Sequence, residues 1–207
     1  MSDIAQTGFS FDATPTMHND DPGKAISGFW LFMMSDLIIF SLFFATYATM
    51  LTPMSIAGGP GPKDILELRS AAFETGALLT STFTFGLASL AIAHGRGRAQ
   101  AMGWLLVTLA LGLVFLGLEG REFARLLDIG AVPQRSGYLS ALWGLVPLHG
   151  LHVTAGVIWL TILLVQMGTQ GVTGRVRAGA ARLALFWHFL DLIWIGIFSV
   201  VYLGGLA

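Results

Sequence analysis

GFWLFMMSDLIIFSLFFATY, residues 28–47, contains a single charge, Asp36, in an otherwise apolar run. A helix rises about 1.5 Å per residue, so some 20 such residues cross a hydrocarbon layer of roughly 30 Å. Four further runs of this kind follow, and the spacing predicts spans at 27–51, 66–94, 101–125, 139–167 and 182–206. Turn chemistry separates them: AGGPGP at 57–62, HGRGR at 94–98, VPQRSG at 132–137 and TQGVTGRVRAG at 169–179. The expected fold is all-α, a polytopic membrane protein with five transmembrane helices in one bundle.

Composition agrees. The 207 residues are 55% hydrophobic and 11% charged, against roughly 25% charged in soluble domains. Mean hydropathy is +0.74. A net charge of −1 gives no field that would attract nucleic acid. The chain has no cysteine, which removes disulfides, thiolate metal sites and covalent haem attachment from consideration. Asp3, Asp12, Asp20 and Asp21 precede the first span with Lys24 the single basic residue among them, the reverse of a signal peptide. Residues 1–26 read as a polar N-terminal arm and 27–207 as the bundle. Small residues crowd the second and fourth spans, where they allow close backbone approach. Trp104, Trp143, Trp187 and Tyr202 are expected in an interfacial aromatic belt.

Five spans put the termini on opposite sides. With the N-terminus inside, the inner face holds Lys24, Arg96, Arg98, Arg175, Arg177 and Arg182, and the outer face holds Lys63, Arg69, Arg121, Arg125 and Arg135. Arg121 and Arg125 fall within the third span and are expected to pair with acids there. The inner loops at 94–98 and 169–179 carry no acid at all. The positive-inside rule therefore favours a cytoplasmic N-terminus.

Ionisable residues in a bilayer are costly and face protein, a partner or a polar path. Asp36 and Glu74 have no opposite charge within a helical turn, so each needs a distant partner or a proton. A proton path and a plain interhelical contact both satisfy that need. Glu122 and Arg125 form an i, i+3 ion pair, while Glu119 lies deeper and needs a partner from another helix. A headgroup or proton-entry role is the second reading of Glu119 and Glu122. His149 and His152 share one helix face, as metal or haem ligands or as packing histidines hydrogen-bonded to a neighbour. One haem would also need His188. His152 lies roughly 20 Å, and His188 roughly 9 Å, from the inner ends of their helices, too unequal for two axial ligands. His188 and Asp191 are again an i, i+3 pair, either a proton-relay couple or a contact that locks the bundle. No phosphate-binding glycine loop, HExxH or nucleophile–base pair accompanies them.

In order, GFWLFMMSDLIIFSLFFATY, FETGALLTSTFTFGLASLAI (73–92), FLGLEGREF (115–123), LVPLHGLHVTAG (145–156) and ALFWHFLDLIWIGIFSVVYLGG (184–205) resemble subunit III of the haem–copper respiratory oxidases. The short first arm and AGGPGPKDILEL resemble the five-helix form found in cytochrome bo-type ubiquinol oxidases. The resemblance implies a non-catalytic subunit of a proton-pumping complex that oxidises ubiquinol and reduces dioxygen to water. It implies no haem, copper or other cofactor in this chain, those groups residing in subunit I. Subunit I is the implied direct partner, with subunits II and IV and membrane phospholipids alongside. The implied location is the bacterial inner membrane. Two positions depart from the family pattern. Asp36 stands where longer mitochondrial-type relatives carry Glu, and Gly120 and Arg121 stand between Glu119 and Glu122 where an aromatic is usual. Arg121 could neutralise one of those two acids. The alternatives are subunit III of a cytochrome c oxidase or of a nitric-oxide-reductase-associated homologue, a self-contained haem electron carrier using His152 and His188, and a small transporter. Unbroken helices argue against the last.

Overall fold

A computed structural model describes residues 22–56, 59–95 and 97–206 of the chain. Five long helices dominate: α1 (Pro22–Thr49), α2 (Leu68–Ala93), α3 (Arg98–Asp128), α4 (Gly137–Gln170) and α5 (Gly174–Ile197). α5 continues through a π-helical segment, Phe198–Leu203. All five are long and apolar enough to cross a membrane. The predicted spans match these helices, with two shifts. α1 begins at Pro22, where proline suits the first helical position, so the end of the expected arm is helical. The rest of that arm, residues 1–21, and Arg96 lie outside the described residues.

α5 starts at Gly174 instead of the expected 182. The Thr173 hydroxyl accepts a hydrogen bond from the Val176 amide and caps the helix, so the glycine-rich stretch ends one turn into what looked like loop. Ser136 caps α4 in the same way through the Leu139 amide at 3.1 Å. Short helical turns at Pro53–Ile56 and Pro62–Ile65 flank the proline-glycine break after α1.

Helices α2, α3, α4 and α5 form a closed ring of neighbours, and α1 lies outside it against α4 and α5. Among the described residues, the buried positions of α1 are Met33, Asp36, Phe40 and Tyr47, a stripe at helical spacing. Its opposite side, including Leu31, Ile38 and Leu42, is exposed, as a lipid- or partner-facing surface is. α2 and α3 touch through small side chains, with Thr84 and Thr108 hydroxyls 2.8 Å apart. Trp187 of α5 fills a notch between α3 and α4. Cβ atoms built at Gly112 and Gly156 would lie 3.0 Å and 3.2 Å from its ring.

Trp187 is therefore core and not belt, and its indole N–H donates to Ser81 Oγ at 3.0 Å. Tyr202 is buried as well. At the other end of the bundle, Arg98 donates to the Gly168 carbonyl, tying the start of α3 to the end of α4. The α1–α2 and α3–α4 connections and the end of α5 thus share one membrane face. The α2–α3 and α4–α5 connections share the other.

Candidate functional site

The polar residues singled out in the sequence fall into two separate clusters, with three residues, His149, His188 and Asp191, outside them. The first cluster is the α1–α4 seam. His152 Nε2 lies 3.3 Å from Asp36 Oδ1, and both groups are largely buried. His152 Nδ1 lies 2.7 Å from the Leu148 carbonyl one turn earlier. A carbonyl only accepts, so Nδ1 carries hydrogen, and the Nε2–Asp36 contact must share one further proton. Imidazolium with carboxylate and imidazole with carboxylic acid both satisfy it, and both are neutral overall. Neutrality is what makes such a pair tolerable in lipid. Asp36 Oδ2 is buried without a hydrogen-bond partner, leaving one acceptor free. Phe40 packs on the imidazole with ring centroids 5.2 Å apart.

The second cluster lies inside the four-helix ring. Glu74 of α2 and Glu119 of α3 are buried, and Ser70 donates its hydroxyl to Glu74 at 3.3 Å. Glu119 presses against Gly150 of α4, where a Cβ would stand 2.8 Å from its Oε2. The expected partner for Glu119 on another helix is thus a bare backbone instead of a charge, and Glu119 Oε1 has no hydrogen-bond partner. Glu122 and Arg125 form the expected pair at 2.5 Å. Arg125 also reaches Glu67 at 3.3 Å and donates to the Ile65 carbonyl. Arg121 makes no ion pair within 4 Å among the described residues, so it does not neutralise Glu119 or Glu122. Positions 119 and 122 share a helix face that 121 is turned away from, and Arg121 is exposed in a surface groove.

His149 and the His188–Asp191 pair behave differently from expectation. His149 is wholly buried, and neither ring nitrogen has a hydrogen-bond partner. It packs among Phe40, Phe115 and Trp194, with centroids 5.3 Å from Trp194. Its surroundings are aromatic rings, so it is a packing histidine without the hydrogen bond expected of one. His188 is exposed and Asp191 buried, and they form no ion pair within 4 Å. Asp191 Oδ1 lacks a hydrogen-bond partner. Among the described residues no three His, Asp or Glu side chains converge as a metal-ligand set. The tyrosine that joins the carboxyl cluster, Tyr202, carries no sequence signal beyond its aromatic character. It arrives there through the π-helical segment at the end of α5.

Comparison with known proteins matches residues 8–206 to the family described as cytochrome c oxidase subunit III. The chain is 43% identical over 205 residues to cytochrome bo(3) ubiquinol oxidase subunit 3 of Pseudomonas aeruginosa, covering 99% of this chain and 95% of that one. It is 46% identical over 187 residues to the protein of that name from Pseudomonas putida, covering 90% and 89%. It is 35% identical over 194 residues to quinol oxidase subunit 3 of Bacillus subtilis, covering 93% and 94%.

Proposed function

The chain belongs to the cytochrome c oxidase subunit III family, and on that premise we propose that it is the third, non-catalytic subunit of a proton-translocating ubiquinol oxidase. The observation that carries this reading is the 43% identity, over 99% of the chain, to a subunit named for ubiquinol oxidase. The complex would couple quinol oxidation to reduction of dioxygen to water, with haem and copper in subunit I. This chain packs against subunit I, beside subunits II and IV and membrane phospholipids, in the bacterial inner membrane with its N-terminus cytoplasmic. Cytochrome c oxidase is the rival within the family. Deleting the gene and measuring oxygen consumption by isolated membranes separates the two. Loss of ubiquinol-driven respiration with cytochrome c-driven respiration intact is expected, and the opposite pattern overturns the reading.

Within that role, the Asp36–His152 pair is the proton-handling element. It holds one shared proton in a neutral pair, and any proton gained or lost leaves a net charge in lipid, which favours prompt transfer onward. Asp36→Asn keeps the size of the side chain and removes its ability to ionise. The complex is expected to assemble but to turn over more slowly, or inactivate sooner, at alkaline pH. An assembled variant with unchanged rate and durability across pH removes proton handling and leaves a packing contact.

A further inference from the structure

Glu74, Glu119, Glu122 and Tyr202 line a partly enclosed cavity of about 10 Å³, whose remaining walls are apolar residues such as Leu142 and Val146. Around 10–15 Å³ is the least space that accommodates a water molecule, which also needs two to four polar partners. Four polar side chains, from α2, α3 and the π-helical end of α5, line this space and can supply those partners. Glu119 is 4% exposed, lines this space, and has its Oε1 unmatched by any protein donor. A buried polar atom left unsatisfied is costly, more so when charged. We propose that this cavity is a binding site for one water molecule, which joins Glu119, Glu74 and Glu122 into a proton-holding carboxyl cluster.

Charge balance fixes what the cluster carries. Arg125, the cation in contact with it, is held on its outer side by Glu122, Glu67 and the Ile65 carbonyl. That leaves Glu74 and Glu119 facing a shared space where, among the described residues, the hydroxyls of Ser70 and Tyr202 are the neutral donors at hand. Two like charges in so dry a space cannot both persist. A proton retained between them, bridged by water, meets both the charge and the orphaned oxygen. Gly150 makes the geometry possible, since any side chain there would displace the Glu119 carboxyl.

The cluster also has a way out. Glu122 lines both the cavity and a surface groove of about 600 Å³, where Glu67, Arg69, Arg121, Arg125 and Asp128 meet the membrane face. Glu122 is therefore the wall between a buried proton site and a charged, open surface. This second site is separate from the Asp36–His152 seam and holds whichever oxidase the subunit serves.

Infrared spectroscopy of the purified complex tests it. The complex is expected to show a carboxylic-acid carbonyl band that shifts in D2O and disappears in Glu119→Gln. An O–H band of a bound water, identified by its shift in 18O-water, is expected to disappear in Val146→Leu, which adds a methylene to the lining. The same variant is expected to shift the Glu119 carbonyl band. Spectra of Glu119→Gln or Val146→Leu that superimpose on the parent in these regions overturn the proposal. Should Glu119→Gln fail to assemble, Val146→Leu changes only apolar volume and still decides the matter.

Discussion

The side chain of Trp187 is buried between α3 and α4. Its place depends on where α5 begins. A start at 182 puts it near the membrane surface, whereas the observed start at Gly174 moves it deep into the bundle. There it has two attachments, a ring seated in the Gly112–Gly156 notch and a hydrogen bond to Ser81. Their magnitudes differ. An interhelical hydrogen bond in lipid averages about 0.6 kcal/mol, while emptying a tryptophan site costs about 3–5 kcal/mol. Trp187→Phe is therefore expected to lower the unfolding temperature of the detergent-solubilised complex slightly, and Trp187→Ala substantially. Equal losses in a thermal-shift comparison would show that the hydrogen bond, and not the ring, does the holding. A methyl added by Gly112→Ala meets the same ring at 3.0 Å and is expected to cost about 1–3 kcal/mol by overpacking. Asp36 and His152 were each legible as out-of-place polar residues, but their pairing was not. The partners sit on helices far apart in sequence, and periodicity fixes a residue's face without saying which helix that face meets.

Helices as elements were the most legible feature, because a run of apolar residues needs no tertiary context to declare itself. Their ends were less so. TQGVTGRVRAG holds three glycines and reads as loop, yet the Thr173 hydroxyl supplies a cap and makes the helix begin there. Replacing such a cap with alanine costs about 0.5–2 kcal/mol, concentrated in the first turn. Thr173→Ala is expected to leave the bundle intact and speed amide hydrogen exchange over residues 174–178. Unchanged exchange there would mean that packing of Val176 and Ala180, both buried, starts the helix unaided. The π-helical end of α5 had no sequence signal at all. Nothing in FSVVYL distinguishes a π turn from an α turn, so the delivery of Tyr202 to the carboxyl cavity could not be anticipated.

At the scale of the whole molecule, sidedness decides what the carboxyl cluster can exchange with. The face with the α2–α3 and α4–α5 connections carries Arg98, Arg175 and Arg177, and its loops contain no acid. The opposite face mixes Lys63, Arg69 and Arg125 with Glu67 and Asp128. In the proposed orientation, with the N-terminus cytoplasmic, the first face lies in the cytoplasm. The groove behind Glu122 then opens toward the periplasm, whereas a reversed chain would open it to the cytoplasm. The chain has no cysteine, so single cysteines report on sidedness without background from it. Arg175 and Lys63 are both exposed and lie on opposite faces. In intact spheroplasts, a membrane-impermeant maleimide is expected to label Lys63→Cys directly and Arg175→Cys only after the membrane is opened. The reverse pattern would invert the topology. It would also carry the opening of the carboxyl cluster to the cytoplasmic side.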